Sequence, residues 1–530
     1  MEEKTTKAWQ QYEAGCDYKR RIGLYETVRV NERFLRGDQW HGSGRSDLPH
    51  PVFNILRRVI DFMICTVFSK KVSLAYTDAD IPYVSDPEKA EALREGVSLL
   101  NRHAAFRWER CKMDKLFRTA LYDAAISGDG VIYSYFDPEV RSSQPFCGDI
   151  VTETVDNVNL FVADVNRPDI QSQEYVMLAG RQSVLSLRRE AVKNGMSRRD
   201  ADRLITSDTD THLGSGDMAA NELEDEDSAK ATYLIKFWRE DGKVLFEKSV
   251  RNCVIRRVNT GCRLYPVAYF NWYPTKNSFH GTSPITGLIP NQKFINRAYA
   301  MVMKHMTDTA FSKVIYDKSR IPEWTNEVGE AIAAVGATNV SDAVSIIEPG
   351  KLTDGYMDVL ASAVNMTKEL TGATDAALGN LSPTNTSAIV AVQEAAKLPL
   401  MQIKDNLCQC VEDVANIWAD MMCSYYPLQR LVPFEKDGEV LTGKADFALL
   451  RDTLIEAHVE IADPERFSVA YNQSILDHLL ESGHITFGEY LERLPEGTLV
   501  NREALIERVK RDENNQIKEE ETFDEQEEAA

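Results

Sequence analysis

The stretch ALGNLSPTNTSAIVAVQEAAKLPL, residues 377–400, carries no charged side chain between Asp375 and Glu394, in a chain where 27% of residues are charged. Turn formers crowd its first half: Gly379, Asn380, Ser382, Pro383 and Asn385. Each suits a backbone that changes direction. Helical patterns flank it. Upstream, residues 356–377 read as one helix. Downstream, Ala396, Leu400, Ile403, Leu407, Cys410, Val414, Ile417 and Met421 follow at alternating steps of four and three residues, a heptad stripe within a helix over about 386–426. At 1.5 Å per residue that helix is roughly 60 Å long. Pro399 lies inside it, and a kink or break is expected there because proline lacks the N–H of the helical ladder. Taken alone, the neutral stretch also reads as a plain helix–helix connection. The stripe reads either as core packing within one chain or as packing against neighbouring chains.

Working outward, a strand–helix–strand unit (SKVIYDKS, PEWTNEVGEAIAAVG, AVSIIEP) precedes residue 352. Before it, HGTSPITGLIPNQKFINRAYAMVMKHMTDTAFSK, residues 280–313, places Ile285, Leu288, Ile295, Tyr299, Val302, Met306 and Thr309 on one helical face. This span holds Lys293, Arg297, Lys304 and Lys313 against Asp308 alone. Lys293 and Arg297 are four apart and share a face. These cations are either solvated and paired with acidic neighbours, or they face phosphate or another subunit.

Residues from about Ala8 to Tyr273 read as an α+β body. One helix is expected over about 4–35, another from Val52 to Phe68, and a longer helical stretch over 86–127 that stops at SGDG. Strands follow, with a helical pair broken at Gly195 and a hairpin at Asp241-Gly242. Near the end, EAHVEIAD reads as a returning strand, and residues 468–511 as several short helices.

The chain has 530 residues and 43% hydrophobic content, enough for several cores. No apolar run approaches the ~18 residues of a membrane span, and MEEKTTKAWQ lacks the pattern of a signal peptide. Nine dispersed cysteines without a C-x-x-C pair fit reduced thiols in a cytoplasm. Of the net charge of −21, residues 207–229 and 512–530 hold −8 each. Both read as solvated, mobile segments, which leaves a mildly acidic body.

No chemical signature stands out. The glycine pairs lack phosphate-loop spacing, and neither H-E-x-x-H nor G-x-S-x-G occurs. The nine histidines are dispersed. No catalytic residue, metal site or cofactor is expected. Zinc-finger spacing, RNP-like aromatics and a strongly basic domain are all missing.

The ordered set of parts nevertheless resembles the portal proteins of tailed bacteriophages, the dodecameric head-to-tail connectors. NERFLRGDQW (31–40) with PVFNILRRVID (51–61), HGTSPITGLIPNQKFINRAYA (280–300) and TGATDAALGNLSPTNTSAIVAVQEAA (371–396) carry the likeness. The resemblance implies an α+β, mainly α, portal fold. Its parts would be a wing (8–279, with an acidic loop at 207–230), a first stem helix (280–310), a clip (311–355) and a second stem helix (356–378). A tunnel loop (379–386), a long kinked wing helix (387–426), a return segment (427–467), crown helices (468–511) and a disordered acidic tail (512–530) would follow. It implies a ring at one capsid vertex that passes double-stranded DNA during packaging and ejection without reading its sequence.

Gly379, Asn380, Leu381, Ser382, Pro383, Thr384, Asn385 and Thr386 would then face DNA. A loop without cations would touch a duplex without gripping it, because affinity rises with the number of Lys and Arg contacts. Lys293, Arg297 and Lys304 would face DNA or a neighbour. Glu323, Trp324, Glu327 and Glu330 of the clip would dock the large terminase subunit and later a head-completion or adaptor protein. Major capsid and scaffolding proteins would meet the wing. The implied place is the virion, with the host cytoplasm during assembly and no membrane. The residues leave open a phage-derived metal-dependent nuclease and a host cytoplasmic helical scaffold.

Overall fold

The computed structural model describes residues 5–42, 47–68, 72–77, 86–141, 147–208, 229–309, 313–324, 344–347, 355–373, 398–426, 430–436, 439–444, 446–452, 456–460, 476–480 and 484–494, with a few single residues between. Helix α1 (Lys7–Arg21) opens on Thr6, whose hydroxyl accepts from the Trp9 backbone N–H. It stops before Gly23, which has φ of +72°, a geometry that glycine reaches without a Cβ clash. Helix α2 (Leu24–Arg36) starts immediately beyond, so the single helix expected over 4–35 is two. The stretch expected over 86–127 also divides, into α4 (Pro87–Arg110) and α5 (Met113–Ser127), at Lys112 with φ of +52°. Helix α3 (Ile55–Val67) starts later than Val52, because the Asn54 side chain caps the Arg57 N–H.

Strands β2 (Asp129–Asp137), β3 (Asp149–Val155) and β9 (Val267–Asn271) form a three-stranded antiparallel sheet in the order β3-β2-β9. Strands β4 (Leu160–Val162), β5 (Tyr175–Ser183), β6 (Lys230–Glu240), β7 (Lys243–Ser249) and β8 (Val254–Asn259) form a five-stranded meander in sequence order. Asp241 and Gly242 both take positive φ at the β6–β7 hairpin, as a tight primed turn requires.

Side-chain alternation along these strands sets the layers. Ile132, Ile150, Ala268 and Phe270 face α5 and helix α10 (Met401–Tyr425) in the largest core. Their alternates Val131, Tyr133, Val267 and Tyr269 meet Val176, Leu178 and Phe237 of the second sheet. On that sheet's far face, Met177, Ala179 and Leu234 receive Trp9 and Tyr12 of α1. Helices α6 (Val184–Lys193) and α7 (Arg198–Leu204) share a smaller core with Val250, Cys253 and Ile255. The observed class is thus mixed helix and strand, as expected.

Leu400, Ile403, Leu407, Cys410, Val414, Ile417 and Met421 are each at most 4% exposed and lie in the main core. The described part of the heptad stripe therefore packs within the chain. Pro399 sits in a 3₁₀ turn, Leu398–Leu400, directly before α10. Residues 374–397, with Ala396, lie outside the described residues.

Strand β1 (Ser73–Thr77), which the sequence pattern does not announce, pairs antiparallel with the returning strand β14 (Glu456–Glu460). Strands β12 (Val432–Lys436) and β13 (Glu439–Gly443) make a further hairpin. Of residues 468–511, helix α11 (Phe487–Arg493) opens on a capping box between Thr486 and Glu489. The expected acidic loop is shorter at both ends. Asp208 accepts from the Thr232 N–H at 2.8 Å and pairs with Arg181 at 3.2 Å, while Lys230 begins β6. Residues 209–228 and 512–530 lie outside the described residues.

Two buried cations tie these layers together. Lys19 of α1 donates to the carbonyls of Asn157, Val158 and Leu160 at 2.8, 2.9 and 2.6 Å, one acceptor for each ammonium proton. Burial pulls its pKa down to about 7. Arg107 of α4 donates to Asp149, to the Ile150 carbonyl and to the Tyr426 hydroxyl, joining α4, β3 and the end of α10.

Candidate functional site

The helix expected over 280–310 is α8 (Pro284–Thr309), and its first half is seated through polar groups. Asp129, at the start of β2, is 1% exposed. Its carboxylate accepts from His280 Nδ1 and the Gly281 N–H, both at 2.7 Å, from Asn271 Nδ2 at 2.9 Å and from Asn157 Nδ2 at 3.0 Å. Ser283 donates to the Ala125 carbonyl, and Asn31 of α2 donates to Thr286. Gln292 donates to the Phe53 carbonyl and accepts from the Leu56 N–H, and Asn296 reaches Gln39. Buried polar groups cost free energy unless bonded, so such pairs fix one seating of α8 over many near-equivalent apolar ones. Pro290 sits inside this helix.

The second half of α8 is different. Ile285, Leu288 and Ile295 are buried as expected, but Met306, placed on the same face by spacing, is 60% exposed. Tyr299 and Val302 are half-buried, and Met301 and Met303 are exposed. The apolar face therefore leaves the core beyond Ala300. Helix α9 (Gly355–Leu370) lies along α8, with the Asn291 amide donating to the Thr367 hydroxyl at 3.3 Å. Only Leu360 and Thr367 of α9 are buried, whereas Tyr356, Met357, Val359, Met366 and Leu370 stand exposed. Expected to run through residue 377, α9 ends at Leu370. Gly372, with φ of +72°, turns the chain away.

Lys293 is exposed and lies over the Phe34 ring, and Arg297 is exposed without an ion pair among the described residues. Lys304 pairs with Asp308 on its own helix at 3.4 Å. Of the three, Lys304 alone has a carboxylate partner among the described residues. Between α8 and α9, strands β10 (Lys313–Tyr316) and β11 (Val344–Ile347) pair antiparallel. Trp324 stacks on Tyr316 with ring centroids 5.6 Å apart, and Glu323 is exposed. Of the helix expected over 322–336, the described residues 322–324, 332, 333, 335 and 336 are not helical; Glu327 and Glu330 lie outside the described residues, as do Gly379, Asn380, Leu381, Ser382, Pro383, Thr384, Asn385 and Thr386.

Sequence reasoning missed the polar seat of α8. Its signal is present: His280, Ser283, Thr286, Gln292 and Asn296 recur near helical spacing among apolar neighbours. Among the described residues, no group of three or more His, Cys, Asp or Glu could hold a metal ion. No described helix is long and apolar enough to cross a membrane.

Residues 263–439, about a third of the chain, match the family model described as Phage P22-like portal protein. That segment holds α8, α9 and α10 and two of the stretches that carry the resemblance, 280–300 and 371–396; the other two, 31–40 and 51–61, lie outside it. No curated protein matches this chain. Among solved structures, a chain of "Virion of native gene transfer agent (GTA) particle" aligns over 88% of this chain and 92% of its own, at 10% identity and a TM-score of 0.37. That likeness is too distant to bear on function.

Proposed function

We propose that the protein is a portal protein: copies of the chain encircle an axis at one capsid vertex, and double-stranded DNA passes through the ring during packaging and ejection. One observation carries this reading. Helix α9 buries two side chains along its length and leaves five large apolar ones in water. With Phe294, Met301, Met303 and Met306 of α8, nine such side chains lie exposed on one helix pair. Burying the exposed half of each recovers roughly 1 kcal/mol, before the cost of association. A second copy can cover them: where the α8 face of one copy meets the α9 face of the next, the contact is heterologous, and a rotation that repeats it closes a ring.

In this reading α8 and α9 form the stem, β10 and β11 belong to the clip that docks the terminase motor and then head-completion proteins, and the two-sheet body is the wing. Residues 379–386 face the duplex as the tunnel loop. The role is structural, without a catalytic step, in the virion and, during assembly, in the host cytoplasm.

Purified full-length protein is expected to form rings with a central hole in negative stain. The double substitution Met366→Glu/Leu370→Glu is expected to shift it to species of one or a few subunits by light scattering, with helical content retained. A wild-type protein that stays monomeric at micromolar concentration would defeat the proposal. Asn380→Lys and Thr384→Lys are expected to leave rings intact and to impair DNA packaging, since twelve added cations would grip the duplex. Normal packaging by both variants would remove the loop from the DNA path.

A further inference from the structure

The strongest unassigned feature is a basic surface on the wing-side sheet, in a chain that is acidic overall. Residues 184–204 hold six Lys and Arg against three acids, and residues 250–263 hold four Arg and no acid. The fold joins these segments: α6 and α7 share a buried core with Val250, Cys253 and Ile255 next to β8, the edge strand of the meander. Register shows which cations look the same way. Lys248 pairs with Arg256 across β7 and β8, and the Lys248 ammonium reaches Glu190 of α6 at 2.7 Å. Arg256 therefore lies on the sheet face that α6 covers, beside the helices.

Several of these charges are already used. Arg188 pairs with Asp202, Lys193 with Glu139 and Arg203 with Asp200. Arg189, Arg198, Arg199 and Arg256 are exposed and have no ion pair among the described residues. Four uncompensated guanidinium groups on one packed unit repel one another and concentrate positive potential, which an anionic partner relieves.

We propose that the α6–α7–β8 surface binds the phosphate backbone of double-stranded DNA, independently of sequence and at a place distinct from the α8–α9 pair. The cations are exposed and spread over two helices and a strand, which suits a line of phosphates rather than one anion in a pocket. None of the three elements carries an aromatic residue, and the nearest ring, Phe246 of β7, lies under the Arg256 guanidinium, so the cations rather than stacked bases would make the contacts. The inference stands without the ring, because the surface is complete within one chain.

Full-length protein and a mixed-sequence duplex of about 30 base pairs, titrated by fluorescence anisotropy over a range of salt, test it. Binding is expected to weaken steeply with salt. Arg189→Glu/Arg198→Glu/Arg199→Glu/Arg256→Glu is expected to weaken it at least tenfold, and the neutral Gln versions to lower the salt slope by about 3.6. Lys89→Glu/Arg94→Glu, exposed on α4, is expected to leave it unchanged. Wild-type affinity in both quadruple variants would overturn the proposal. So would an equal loss of binding in the α4 variant, or equal competition by poly-glutamate at matched charge, which would identify a surface for acidic protein. Since the four arginines are exposed, a folded quadruple variant is expected; if the Glu form misfolds, the Gln form alone decides.

Discussion

Asp129→Ala is expected to destabilise the protein by about 3–5 kcal/mol, and its chemical denaturation midpoint should fall accordingly. The carboxylate is buried and accepts four hydrogen bonds. Two of the donors keep another acceptor: Asn271 also reaches the Phe279 carbonyl and Asn157 the Ser127 carbonyl. His280 Nδ1 and the Gly281 N–H lose theirs, and a buried donor without an acceptor costs about 1–3 kcal/mol. Asn is not a rescue. His280 and Asn157 address one oxygen, and Gly281 and Asn271 the other. In either orientation the asparagine NH2 faces two donors. Asp129→Asn should therefore lose most of what Asp129→Ala loses. A loss below about 1 kcal/mol in both would mean that water replaces the carboxylate and that the seat of α8 is not built on it.

Much of the helical plan was legible because its signals are local. The heptad positions from Leu400 to Met421 are the buried face of α10, and Gly195 and Asp241-Gly242 break the chain where their backbone preferences say they should. Gly23 and Lys112 were not read as breaks. Gly23 sits alone within an otherwise helical pattern, where a glycine is tolerated at a cost of about 1 kcal/mol. Lys112 has no sequence preference for its left-handed φ. Strand β1 was missed because five residues of SLAYT acquire strand character only by pairing with β14, almost four hundred residues away. Met306 is harder still. Helical spacing marks it as an apolar position, but spacing does not say whether the core that covers it lies in the same chain. The basic surface was missed for a simpler reason: its two segments are 45 residues apart in sequence, and each is diluted by the net charge of −21.

The second large effect is expected at Asp149. Arg107 and Arg430 approach this one carboxylate at 2.5 and 3.5 Å, with side chains only 5% and 9% exposed, and Tyr426 donates to it at 2.7 Å. Asp149→Ala leaves two buried guanidinium groups without a counter-charge. Breaking a buried pair in this way costs about 3–5 kcal/mol; since Asp149 itself is 37% exposed, the lower half of that range is expected. Adding Arg107→Met should recover part of the loss, because the apolar side chain removes the stranded charge and can still pack on Trp418. The pH dependence separates this cluster from ordinary packing. Burial pushes the Asp149 carboxyl up, but the charge of Arg107 and the bonds from Tyr426, Arg107 and the Ile150 N–H outweigh it, so it titrates below 3.8. Its stabilisation is present above the ordinary carboxylate range and is lost only as pH falls through the lower, folded value.

Neighbouring His103 acts earlier on the same descent. Burial, helped by Arg107 and Arg430 and opposed by its bond to the Pro433 carbonyl, pulls it down to about 4 from 6.5. Between those values the unfolded chain takes up a proton that the folded protein refuses, so stability falls as pH drops from 6.5 towards 4. Urea midpoints measured across this window should decline in the wild type and in Asp149→Ala, and much less in His103→Gln. Below pH 4 the slopes should diverge the other way, the wild type losing the Asp149 contribution that Asp149→Ala never had. Parallel profiles for all three proteins would show that the cluster carries no net electrostatic stabilisation and that α4, β3 and α10 are joined by packing alone.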